Sequence, residues 1–168
     1  EATDTEMLSS GVLTSLINVV PVNDPPTLDL DDDNSSMINA GNYRGEFAED
    51  GPDAAISSGV LVSDLDDTNL ESMTIVLTNG MVDDVLNVGA LPAGISLVGA
   101  APAALTANGA LTVELAGSAS LSDYQDAIAA ITFSTSSQYL DTIEREIEVT
   151  CFDGEDNSPT RTAFISVN

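Results

Sequence analysis

The sequence predicts an all-β domain, an antiparallel sandwich with one short crossover helix. Three observations predict it. Short runs rich in Val, Ile, Leu and Thr are bounded along the whole chain by Gly, Pro, Asn and Asp, the composition of strands joined by turns. The run 142–152 alternates apolar and polar residues, the mark of a strand with one face in a core and one in water. One segment alone carries apolar residues at helical spacing: Leu121, Tyr124, Ile128 and Ile131.

In chain order the expected strands are 11–20, 27–30, 37–47, 59–62, 73–78, 85–88, 95–98, 110–115, 130–134, 142–152 and 160–167. Pro21 stops the first, and the second lies between Pro26 and the run Asp31-Asp32-Asp33. The third ends at an acidic turn beginning with Glu49, and Gly59 opens the fourth. Residues 85–113 carry no charge, enough length for a membrane span. Pro92, Pro102 and glycines 89, 94, 99 and 109 break that stretch, so it reads as strands and turns. Ser120 or Ser122 caps the helix, and Asp123 suits its positive end. The helix joins two strands. In 142–152, Cys151 shares a face with Ile143, Arg145, Ile147 and Val149 and reads as a small buried hydrophobe. As the chain's one cysteine, it forms no intrachain disulfide.

Composition then narrows function. The 168 residues include 28 carboxylates, three arginines, no lysine and no histidine, for a formal charge of −25. Such a surface repels phosphate, which argues against nucleic acid and against anionic lipid. Missing histidine removes the usual general base and zinc ligand, and missing lysine removes Schiff-base chemistry. No nucleophile elbow, metal-His motif or phosphate loop is present, and with so many acids a carboxylate pair says nothing, so an enzyme is not expected. At 43% hydrophobic the chain still builds a core, so high salt or bound cations must offset the repulsion. The acids are 18 Asp and 10 Glu, and Asp is the better loop ligand for hard cations.

The two ends resemble each other. Leu16-Ile17-Asn18-Val19-Val20 runs into Val22-Asn23, and Phe164-Ile165-Ser166 runs into Val167-Asn168, a period of 145 residues (168 − 23). Residues 1–22 therefore read as the last strand of a preceding repeat, or as an N-terminal donor strand, and 23–168 as one repeat. Without an initiator Met, a signal peptide or a targeting tract, the chain reads as part of a longer one.

Carboxylates cluster in turns: Asn23-Asp24, Asp29 to Asn34, Glu49-Asp50 with Asp53, Asp64-Leu65-Asp66-Asp67, and Asp153-Gly154-Glu155-Asp156. Calcium takes six to eight oxygens, which such loops supply. None of the clusters has EF-hand spacing, since Ala40 or Ile75 would stand where the bidentate Glu belongs. A calcium site would have to be assembled from separate loops.

Several of these segments carry a family resemblance. Val22-Asn23-Asp24-Pro25-Pro26 resembles the linker that opens cadherin-like repeats. Asp64-Leu65-Asp66 resembles the family's Asp-x-Asp, Asp153-Gly154 its turn before the last strand, and Phe47-Ala48-Glu49-Asp50-Gly51 its acidic first-strand motif. The runs 91–96 and 124–133 are similar to segments of cadherin-like (dystroglycan-type) repeats in giant bacterial surface adhesins. The resemblance implies a Greek-key, immunoglobulin- or cadherin-like β-sandwich. It implies calcium held by Asn23, Asp24, Asp64, Asp66 and Asp153 at the leading pole, with Glu49 serving the opposite pole.

The expected function is therefore a calcium-binding extracellular repeat that stiffens and extends a cell-surface protein. Its partners would be neighbouring repeats or identical subunits, with no nucleic acid and no membrane insertion. Two alternatives remain: a filament subunit joined by strand donation, and an adhesive module for a cell-surface glycan or protein. The second is weakened by 4% aromatic content, with only Tyr43 and Tyr139 expected in exposed loops.

Overall fold

Alternating burial along three long strands organises the molecule. The computed structural model describes residue 11 and residues 14–38, 40–138 and 141–168. Arg145–Phe152 (β10) buries every second residue, and its core face carries Ile147, Val149 and Cys151. It pairs antiparallel with Asn69–Gly80 (β5), which buries Leu70, Met73, Ile75 and Leu77, and β5 pairs antiparallel with Gly109–Ser120 (β8). Arg161–Val167 (β11) and Tyr43–Phe47 (β2) extend the sheet on the β10 side, and Ser96–Leu97 (β7) closes it on the β8 side. The order is β2-β11-β10-β5-β8-β7.

A second sheet holds Ala54–Ala55 (β3), Ile131–Thr135 (β9) and Asp84–Val88 (β6) in that order, and Thr27–Asp29 (β1) pairs with Leu61–Ser63 (β4). The sheets share one core: Phe47 from β2 meets Phe133 from β9 edge to face, ring centroids 5.7 Å apart. The chain is thus mostly β, in several sheets, compatible with a sandwich.

The helix Leu121–Ala129 (α1) passes from β8 in the large sheet to β9 in the small one. Ser120 is its N-cap and forms a reciprocal capping box with Asp123, so Ser120, not Ser122, starts it. Tyr124 and Ile128 are buried, and the Tyr124 hydroxyl donates to the Gly117 carbonyl at 2.8 Å. Burial, helped by the charge of Glu71, pushes that phenol up to about 12.

Several expectations change. Not every pair is antiparallel, because β2 runs parallel to β11. Residues 14–22 form no strand. Leu16 is 95% and Val20 72% exposed, because no neighbouring strand pairs with this segment among the described residues. The expected strand 37–47 shrinks to β2, because Ala40 and Gly41 both take positive φ and turn the chain. β3 was not expected, being too short to show periodicity. β5 and β8 run longer than expected: β5 spans Asn69 to Gly80, and β8 continues through Gly117 to Ser120. Gly117 sits inside β8 at φ 138°, where a Cβ would stand 1.9 Å from the Gly94 carbonyl oxygen, so this glycine marks a close backbone approach. Tyr43 lies half-buried at the start of β2, whereas Tyr139 falls outside the described residues. Cys151 is fully buried, and burial pushes its thiol up to about 12.

Two poles result. β4 and β10 end, and β5 and β11 begin, at the leading pole; β2, β5 and β11 end, and β10 begins, at the other. Arg145 stands at the far pole on the core face of β10, 2% exposed, with its Nε 2.6 Å from Oδ2 of the fully buried Asp84. The Met81 N–H donates to the same oxygen at 2.8 Å, and Arg145 Nη1 donates to the carbonyls of Ile143 and Asp141.

Candidate metal centre

Two loops at the leading pole are built alike. One follows β4 and reads Asp64-Leu65-Asp66-Asp67; the other follows β10 and reads Asp153-Gly154-Glu155-Asp156. In each, the leading aspartate closes its loop with one oxygen. Asp64 Oδ1 accepts the N–H groups of Asp66 at 3.1 Å and Asp67 at 2.9 Å. Asp153 Oδ1 accepts those of Glu155 and Asp156, both at 2.7 Å. These are turns of the kind aspartate favours because its side chain mimics a backbone acceptor. Each arrangement leaves the second carboxylate oxygen for other work.

The second oxygens differ in what they meet. Asp153 Oδ2 accepts the Asn23 carboxamide N–H at 3.0 Å, and Asn23 also donates to Asp156 Oδ2 at 3.2 Å. Asp64 Oδ2 is shielded from water and has no hydrogen-bond partner. An acceptor in that position is costly unless something positive meets it. Asp64, Asp67 and Asp153 each bring a carboxylate oxygen to within 4.8 Å of the other two.

Residues 23–26 dock on the same pole. Pro26 is buried, and the Asp24 N–H lies 3.3 Å from Asp66 Oδ2. Desolvation, then the close approach of the Asp64 carboxylate and the charges of Asp64 and Asp24, raise the Asp66 carboxyl above its ordinary value, outweighing the bond from the Asp24 N–H. For Asp153 the balance is opposite: burial works to raise it, but the bonds from Asn23 and from the loop N–H groups hold it below its ordinary value. The arginines are engaged elsewhere: Arg44 with Glu144 at 3.5 Å, Arg145 with Asp84, and Arg161 with the Leu28 carbonyl at 2.8 Å.

The structure thus brings Asn23, Asp24, Asp64, Asp66 and Asp153 to one pole, and adds Asp67 and Asp156. The shared spacing of the two loops, acids at the first, third and fourth positions, is the sequence signal for both additions. Glu49 lies apart. Its N–H donates to the Asn168 carbonyl just beyond the end of β11, about 20 Å from the leading pole by strand length. It lines a far-pole cleft with Asp50, Asp53 and Asp83.

No family model, curated protein or solved structure matches the chain.

The cluster at Asp29 to Asn34 has a structural occupation. Asp31 is 1% exposed and accepts four donors: the N–H and hydroxyl of Ser35 at 3.1 and 3.0 Å, and those of Ser36 at 3.0 and 2.6 Å. Burial pushes its carboxyl up, but these bonds win and hold it below the ordinary value. With both oxygens satisfied, Asp31 staples the turn between β1 and β2.

Proposed function

We propose that this chain is a calcium-binding repeat of an extracellular surface protein, with a cadherin-like Greek-key sandwich, whose ion stiffens the junction to a neighbouring repeat. The observation that carries this reading is the three-carboxylate cluster of Asp64, Asp67 and Asp153 beside the shielded, unpartnered Asp64 Oδ2. The donor set suits a hard cation, since carboxylates dominate it, the Asn23 carboxamide stands beside it, and no nitrogen or sulfur ligand takes part. Asn23, Asp24 and Asp66 surround the cluster from the linker and the first loop, so an ion held there would tie linker to domain. Glu49 would serve an equivalent junction at the far pole.

The test is thermal melting with calcium and with chelator. Calcium at 100 times its dissociation constant stabilises by about 2.7 kcal/mol, which for a chain of this size raises the midpoint by about 5–11 °C. A shift below about 2 °C refutes the reading. Asp64→Asn should abolish most of the calcium shift while leaving the chelator midpoint near that of the parent.

The exposed segment 14–22 favours one alternative, a filament subunit that donates this segment to a neighbour's sheet. Deleting residues 1–22 separates the two: a filament subunit stops polymerising, whereas a plain repeat stays a folded monomer.

A further inference from the structure

The Asn23 carboxamide occupies an unusual position for a prospective oxygen ligand. Its nitrogen, not its oxygen, faces the site. Both atoms it meets, Asp153 Oδ2 and Asp156 Oδ2, belong to carboxylates, which accept and cannot donate when ionised, so the NH2 end must point at them. The 3.0 and 3.2 Å contacts place a partial positive charge between two negative oxygens. A cation would do the same with a full charge.

We propose that Asn23 is a two-position latch: without calcium its NH2 group bridges Asp153 and Asp156 and holds the linker on the domain, and with calcium the carboxamide turns over and offers Oδ1 to the ion. The proposal rests on the calcium reading above and adds a mechanism to it. Turning a carboxamide about its last side-chain bond exchanges donor and acceptor within nearly the same volume, so no backbone movement is required. The same turn frees Asp153 Oδ2 from its amide donor. The Asp24 N–H bond to Asp66 lies one residue along and keeps the linker in register in both states. The linker is therefore held at the leading pole even without calcium.

Three proteins test this with calcium as the only probe: the parent, Asn23→Asp and Asn23→Ala. An aspartate cannot donate but does offer oxygen, so Asn23→Asp separates the two positions of the latch. Calorimetry should give Asn23→Asp a calcium affinity equal to the parent's or higher, and Asn23→Ala one lower by about tenfold. Without calcium, the Asp24 N–H, bonded to Asp66 in the parent, should exchange faster in both variants than in the parent. In the parent, the Asn23 side-chain NH2 resonances should move and lose protection as calcium saturates. A parent that binds no calcium in calorimetry overturns the calcium reading, and the latch with it. A parent that binds calcium while its Asn23 NH2 resonances stay fixed and protected overturns the latch alone. So does an Asn23→Asp variant whose Asp24 N–H exchanges no faster than the parent's without calcium.

Discussion

The buried pair at the far pole offers the sharpest test of the energetics. Arg145 is 2% exposed and Asp84 0%, with Nε and Oδ2 2.6 Å apart. Arg145→Met keeps much of the side-chain volume and removes the charge, which leaves the Asp84 carboxylate in the core with only the Met81 N–H for a partner. Breaking a buried pair from one side costs about 3–5 kcal/mol, because the surviving charge stays desolvated and uncompensated. For a chain of this length, each kcal/mol lowers the melting midpoint by about 2–4 °C, so the expected loss is about 6–20 °C. Removing the second charge as well should reverse it. Asp84→Leu combined with Arg145→Met buries no charge, and such replacements are often neutral or stabilising. The assay is calorimetric or circular-dichroism melting of parent, single and double variants in one buffer with chelator, so that the leading pole contributes equally to all. If Arg145→Met melts within about 2 °C of the parent, or if the double variant is the least stable of the set, the reasoning fails.

Other outcomes follow from the same geometry. Asp153 and Asp31 have carboxyls held below their ordinary 3.8, so each contributes stability above that pH and loses it as pH falls through its lower folded value. Asp66 is raised, so its charge opposes the fold at neutral pH and protonation relieves it. The calcium-free midpoint should therefore hold or rise slightly from neutral pH to about 4 and drop below that; a decline already under way between about pH 6 and 5 contradicts these shifts. Gly117→Ala places a Cβ 1.9 Å from the Gly94 carbonyl oxygen and should destabilise by about 3 kcal/mol or more, read from denaturant midpoints. Tyr124→Phe leaves the Gly117 carbonyl without its 2.8 Å donor and should lose about 1–3 kcal/mol in the same assay.

Much of the architecture is legible in local sequence. The alternation of 142–152 appears as β10, and the helical spacing of Leu121, Tyr124 and Ile128 appears as α1. Both are properties of a few neighbouring residues: a period of two or of 3.6 puts apolar side chains on one face, and the backbone follows. Glycine is where local reading fails. The expected strand stops at residue 115, yet β8 continues through Gly117, because what decides this glycine's role is the backbone of Gly94, distant in sequence. The segment 14–22 fails for a related reason. It has the composition of a strand, but a strand exists only where a second one supplies the ladder, and none among the described residues pairs with it.

The acidic turns divide in the same way. Their composition alone identifies residues able to hold a hard cation, and the order of the motifs is what points to the loops of Asp64 and Asp153 in the proposed site. Only the tertiary structure separates them. Asp31 and Asp153 both sit in aspartate-rich turns, yet Asp31 spends both oxygens on Ser35 and Ser36, whereas Asp153 spends one on its own loop and turns the other toward Asn23, 130 positions away in the chain. Local sequence sets which oxygens exist and which turns they close. The pairing of β5 with β10 decides which of those oxygens face one another: the Asp64 loop runs into the start of β5 and the Asp153 loop leaves the end of β10, so strand register, not spacing along the chain, carries both loops to the same pole.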